Sequence, residues 1–69
     1  MKIKLEEFRN KRMMNQRELS DASGVPQPMI SDIENENVKN PTIKTMYRLA
    51  TALRCLVDDL IEKDEVKGA

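Results

Sequence analysis

The chain has 69 residues, 39% hydrophobic and 35% charged, with twelve bases against twelve acids and only Phe8 and Tyr47 aromatic. So short a chain supports one modest core, and so few aromatics favour Leu, Ile, Val and Met on short helices over a sandwich of aromatic strands. The charge balance removes the bulk basic charge that marks many nucleic-acid binders, and a single cysteine excludes an intrachain disulfide framework.

Apolar spacing is helical throughout, with no alternating run of strand type. The first segment, "KIKLEEFRNKRM", is led by Ile3 and repeats apolar residues at Leu5 and Phe8. The second opens at Asn15, an N-cap type with Glu18 three places on, a capping-box variant leading into Leu19 and Ala22. Gly24 ends it, free to take the positive φ of a tight turn. In the third segment, "GVPQPMISDIEN", Val25, Ile30 and Ile33 form the inward face. A residue preceding proline is pushed from helical angles, so Gln27 is expected as the cap and Pro28 as the first helical residue. Asn40-Pro41 breaks the chain, and Thr42 caps a fourth segment through Ile43, Met46, Leu49, Ala50 and Leu53. A fifth holds Val57, Leu60 and Ile61. Residues 1–62 are thus expected to form one domain and residues 63–69 a polar tail that frays. The class is all-α: a compact bundle of five helices whose second and third form a helix-turn-helix.

Catalysis is poorly supplied. The chain has no histidine, and Cys55 sits in apolar "ALRCLV", where it reads as structural. Glu6–Glu7 and Asp58–Asp59 are sequence neighbours, which on a helix point about 100° apart and do not form an acid/base pair. No metal or cofactor is implied. No apolar run approaches membrane-spanning length, and no signal-peptide core follows the N-terminus, so the expected setting is the cytoplasm.

"NQRELSDASGVPQPMISDIEN" followed by "NPTIKTMYRLATAL" resembles the phage-repressor and Cro-like helix-turn-helix family, also called the XRE family, over roughly residues 4 to 61. Gln16, Gly24-Val25, Ile30-Ser31-x-Ile33-Glu34, Pro41-Thr42, Leu49-Ala50-x-Ala52-Leu53 and Asp58-x-Leu60 agree with the family in order. The resemblance implies a lambda-repressor-like domain that binds double-stranded DNA specifically as a homodimer, as a repressor or other regulator. The third helix, about 27–35, would then lie in the major groove of a palindromic or near-palindromic operator. It also implies a structural ion pair between Arg9 and Glu34. The chain departs from the family at Met13, Glu36 and Arg54, where glycine is usual, and at Ser20, usually alanine. Positive φ at an ordinary residue costs on the order of 1 kcal/mol, and Asn35 and Asn37 are placed to absorb the turn around Glu36.

Zero net charge conceals a pattern. No base lies between Arg17 and Lys39, whereas Lys2, Lys4, Arg9, Lys11, Arg12 and Arg17 precede that gap and Lys39, Lys44, Arg48 and Arg54 follow it. Positive charge thus flanks the third helix, as phosphates flank a groove. Asn15, Gln16, Arg17, Lys39, Asn40 and Lys44 are expected on the DNA backbone, helped by the N-termini of the second and fourth helices. Helical spacing sets Pro28, Ser31, Asp32 and Asn35 opposite Ile30 and Ile33, with Gln27 at the tip. These five are the expected base readers: Gln for adenine, Asp or Ser for cytosine, and Pro28 in apolar contact. Leu56, Ile61 and Tyr47 are the expected dimer surface, with Val57 and Leu60 in the core. The alternative is a protein-interaction module of the same fold, an antitoxin or adaptor with weak or no DNA binding, favoured by the acidic third helix. No small-molecule ligand is evident.

Overall fold

The computed structural model describes residues 2–38 and 40–62. In chain order these form β1 (Lys2–Ile3), α1 (Leu5–Lys11), α2 (Gln16–Ser23), α3 (Gln27–Glu34), α4 (Ile43–Ala52), α5 (Val57–Leu60) and β2 (Ile61–Glu62). The architecture is all-α, with α2 and α3 packed on each other and α4 against α2. Leu5, Leu19, Ile30, Ile33, Leu49, Leu53 and Leu60 are fully buried, so α1 to α4 and α5 all feed one core. Removing such branched side chains from water is what drives a bundle this small to close.

The chain ends of the domain differ from the helical expectation. Ile3 does not lead α1, and Ile61 does not belong to α5. Instead β1 and β2 pair antiparallel, Lys2 opposite Glu62 and Ile3 opposite Ile61, and the Lys4 N–H donates to the Leu60 carbonyl at 2.7 Å. Both isoleucines still pack against the core, half-buried. Pairing satisfies backbone groups that a one-turn helix could not, which is why these two-residue strands form without any alternating signal. Two further side chains leave the expected inward faces: Ala22 is exposed, and Ile43, the first residue of α4, is 84% exposed. Lys39 and residues 63–69 lie outside the described residues.

Helix starts follow the sequence closely. Asn15 caps α2 with a complete capping box: its side chain accepts the Glu18 N–H at 2.7 Å, and the Glu18 carboxylate accepts the Asn15 N–H at 2.8 Å. The Thr42 hydroxyl accepts the Thr45 N–H at 3.1 Å and caps α4. The cap of α3 is Pro26 rather than Gln27 (φ −56°, ψ 140°), and Pro28 falls one residue inside the helix. Pro26 takes the extended cap geometry itself, and Pro28 still lies in the first turn, where its missing N–H has no helical partner to lose.

Helix ends carry the strain. Gly24 closes α2 at φ 76°, with its N–H on the Ser20 carbonyl. A Cβ there would meet nothing within 4 Å, so backbone handedness and not space requires the glycine. Met13, Glu36 and Arg54 also adopt positive φ, at 56°, 62° and 57°. Each sits one residue past a helix cap in the same double hydrogen-bond arrangement. Met13 and Met14 donate to Asn10 and Arg9, Glu36 and Asn37 to Ile33 and Asp32, and Arg54 and Cys55 to Thr51 and Ala50. This Schellman closure fixes which residue turns left-handed, so Glu36 takes the turn and Asn35, at φ −88°, does not absorb it. Ser20 contributes instead of straining: its hydroxyl donates to the Val25 carbonyl at 2.7 Å and braces the α2–α3 turn. Arg12 caps the end of α4, donating from Nε to the Leu53 carbonyl at 2.8 Å and from Nη2 to that of Arg54 at 3.3 Å.

Met13 is 90% exposed and surrenders no packing on truncation. Met13→Gly is therefore expected to stabilise the domain by about 0.5–1 kcal/mol, a rise of several degrees in Tm for a chain of this size. A thermal melt with unchanged or lowered Tm would contradict the strain assigned to this turn.

Candidate nucleic-acid interface

The α2–turn–α3 unit presents one open helix side. Ile30 and Ile33 bury α3 against the core, while Gln27, Pro28 and Asn35 are exposed and Ser31 and Asp32 are half-buried. Gln27 is the first residue of α3, at its exposed tip, and Asn35 is its C-cap. The Asn35 amide donates to the Ser31 hydroxyl oxygen at 3.3 Å, linking these two side chains one turn apart. Asp32 makes no side-chain hydrogen bond or ion pair with any other described residue, so its carboxylate is available as an acceptor. Met29, on the same helix, is 37% exposed.

Two helix N-termini accompany this face. In α2 the capping box uses the Asn15 and Glu18 N–H groups, which leaves those of Gln16 and Arg17 without partners among the described residues. In α4 the Thr42 cap leaves those of Ile43 and Lys44. Free N–H groups together with the helix dipole favour an anion at both places. Asn15, Arg17, Asn40 and Lys44 are exposed, and Gln16 is half-buried.

The site is held from behind by one carboxylate. Arg9 Nε donates to Glu34 Oε2 at 2.7 Å and Arg9 Nη2 to Glu34 Oε1 at 3.1 Å. The Glu34 side chain is only 4% exposed and that of Arg9 12%. Arg9 Nη1 also donates to the Met14 carbonyl at 2.8 Å, fixing the α1–α2 turn, and Gln16 Nε2 donates to Glu34 Oε1 at 3.0 Å. The hydrogen bonds to Glu34 raise the Arg9 pKa further above its usual value, against a smaller opposing effect of burial. The link between Gln16 and Glu34 went unread in the sequence, because nothing in the spacing of two polar residues eighteen apart announces it.

Several of the bases that precede α3 in the chain are engaged within the domain. Arg9 and Arg12 are internal ties, Lys11 pairs with Glu7 at 3.6 Å, and Lys11 and Lys4 lie 4.8 and 5.8 Å from the Phe8 ring centroid. Arg17, Lys44 and Arg48 are exposed and form no ion pair with another described residue. Arg48 follows Lys44 by one turn on α4, which places the two exposed bases on the same face of the helix. Burial pushes the Cys55 thiol up, with Asp59 adding to the effect and Arg12 opposing it, which disfavours a nucleophilic thiolate. Of the apolar trio, Tyr47 and Leu56 are 65% and 69% exposed, whereas Ile61 is half-buried in β2.

Removing one partner of a buried pair leaves the other charge uncompensated, so Glu34→Ala is expected to destabilise the domain by about 3 kcal/mol. Replacing both, as Arg9→Met with Glu34→Leu, should cost much less. Urea unfolding of the two variants measures this; equal losses would show that the pair contributes nothing beyond packing.

No helix among the described residues is long and apolar enough to cross a membrane. No curated protein matches the chain closely. A sequence profile described as helix-turn-helix matches residues 5–60, most of the chain and all five helices. With the capped α2, the Gly24 turn and the open side of α3 in place, the protein belongs to the phage-repressor and Cro-like helix-turn-helix family of DNA-binding regulators.

Proposed function

We propose that the protein is a cytoplasmic repressor that reads double-stranded DNA as a homodimer, α3 of each copy entering the major groove of one half of a palindromic or near-palindromic operator. One observation carries the reading: α3 is buried on one side by Ile30 and Ile33 and leaves Gln27, Pro28, Ser31, Asp32 and Asn35 along its other side. Gln27 at the tip suits adenine, which offers N6 and N7 to a side-chain amide, and Asp32 accepts only, which suits cytosine N4 and disfavours guanine. Ser31 and Asn35 act as a linked pair, and Pro28 makes an apolar contact.

Phosphates are held on either side of the groove by Asn15, Gln16 and Arg17 at the start of α2, and by Asn40, Lys44 and Arg48 around the start of α4. Lys39 completes this set by its place in the sequence. Tyr47, Leu56 and Ile61 form the dimer surface, in which Leu56 and Tyr47 offer most of the exposed apolar area. Asp32 is the acidic residue of α3 that meets the groove unpaired, and the other two acids near the helix do not add to its charge there. Glu34 is neutralised by Arg9, and Glu36 lies past the end of the helix.

Selection of bound duplexes from a random pool should return a palindrome with half-sites about one helical turn apart. Gln27→Ala and Asp32→Ala should each relax the preference at a distinct position; unchanged preferences in both would refute the assignment of readers. No binding to random duplex at low salt would favour the protein-interaction reading. Arg17→Ala should weaken binding evenly across sequences and reduce the log–log salt slope by about 0.9 per subunit. An unchanged slope, measured by fluorescence anisotropy, would remove Arg17 from the phosphate contacts.

A further inference from the structure

We infer that Glu34 is a positioning residue for DNA binding: by accepting a hydrogen bond from Gln16, it fixes how that side-chain amide meets the phosphate backbone. The inference rests on the reading that Gln16 contacts a phosphate. Glu34 receives three donors, two from Arg9 and one from Gln16. The forked Arg9 contact already neutralises the carboxylate, so the bond from Gln16 is additional to what the ion pair requires.

The chemistry of that bond determines the orientation. A carboxylate accepts and does not donate, so the Gln16 nitrogen and not its oxygen must lie on the Glu34 side. One N–H is used, and no described residue takes the second, just as none takes the backbone N–H groups of Gln16 and Arg17. Three donors then belong to one helix start. A glutamine held this way has already lost its rotamer freedom in the unbound protein, so less ordering remains when a phosphate arrives. Arg9 serves the same end, because an unneutralised Glu34 would place a negative charge behind a phosphate site.

A double-mutant cycle on binding to a labelled random-sequence duplex at low salt tests this. Glu34→Ala alone risks misfolding, so the cycle uses the paired variant Arg9→Met with Glu34→Leu, with folding checked by circular dichroism. Gln16→Ala and the paired variant should each weaken binding about two- to tenfold per subunit, and combining them should add nothing. Losses that multiply, or a folded paired variant that binds as wild type, overturn the positioning role. A Gln16→Ala variant binding as wild type overturns the phosphate contact on which it rests, and a wild-type protein that binds no duplex overturns the DNA reading itself. As an independent readout, NMR relaxation of the Gln16 side-chain amide should show restricted motion in the wild type and free motion in the paired variant. Equal mobility in both would also overturn the inference.

Discussion

Arg9 and Glu34 stand twenty-five residues apart, and their contact holds the helix-turn-helix against the rest of the domain. The guanidinium spans both carboxylate oxygens and reaches the Met14 carbonyl, so one side chain ties α1, the turn after it and the end of α3. Gln16 adds the start of α2. A buried pair of this kind gains little over a well-packed apolar pair in free energy, but it is demanding in geometry. Two parallel N–H···O bonds permit one orientation of α3 relative to α1. That orientation turns Ile30 and Ile33 inward and leaves the other side of α3 open.

The remainder of the domain tolerates local strain around this fixed point. Three helices close through left-handed residues that are not glycine, and each of these turns costs on the order of 1 kcal/mol. Opposing them are the Asn15–Glu18 capping box, the Thr42 cap, the Ser20 hydroxyl across the α2–α3 turn, and Arg12 on the carbonyls at the end of α4. Strain and compensation lie close together: Arg12 precedes strained Met13 and bonds the carbonyl of strained Arg54. Among the described residues, the Gly24 turn between the two helices of the DNA-binding unit is the left-handed turn that carries no such cost.

Features set by local chemistry were legible in the sequence. Asn15 with Glu18, Gly24 and Thr42 announced their roles by residue type, and Ile30 with Ile33 gave the buried side of α3 by spacing alone. Long-range pairing was not legible: Ile3 and Ile61 form strands only because the two ends of the domain meet, and two residues are too few to show alternation. Pro26 displaced Gln27 as a cap because two prolines one residue apart permit either register, and tertiary packing selects one. Asn35 was favoured for the left-handed turn by residue type, yet the hydrogen-bond count of the closure assigns it to Glu36. In the candidate site, spacing set out the open side of α3, whereas the commitment of Arg12 to a helix end and of Gln16 to Glu34 depends on contacts between distant segments. The bases engaged within the domain, Arg9, Arg12 and Lys11, are distinct from Arg17 and Lys44, which the sequence reading set on the DNA backbone.

In the proposed complex, the open side of α3 and the helix starts flanking it form the surface that meets DNA. An NMR titration of the protein with a selected duplex tests it most directly, following backbone and side-chain amides. Shifts should concentrate at Gln27, Ser31, Asp32 and Asn35, at Gln16 and Arg17, and at Ile43 and Lys44. Shifts confined to the side carrying Tyr47 and Leu56, or none at saturating duplex, would contradict it.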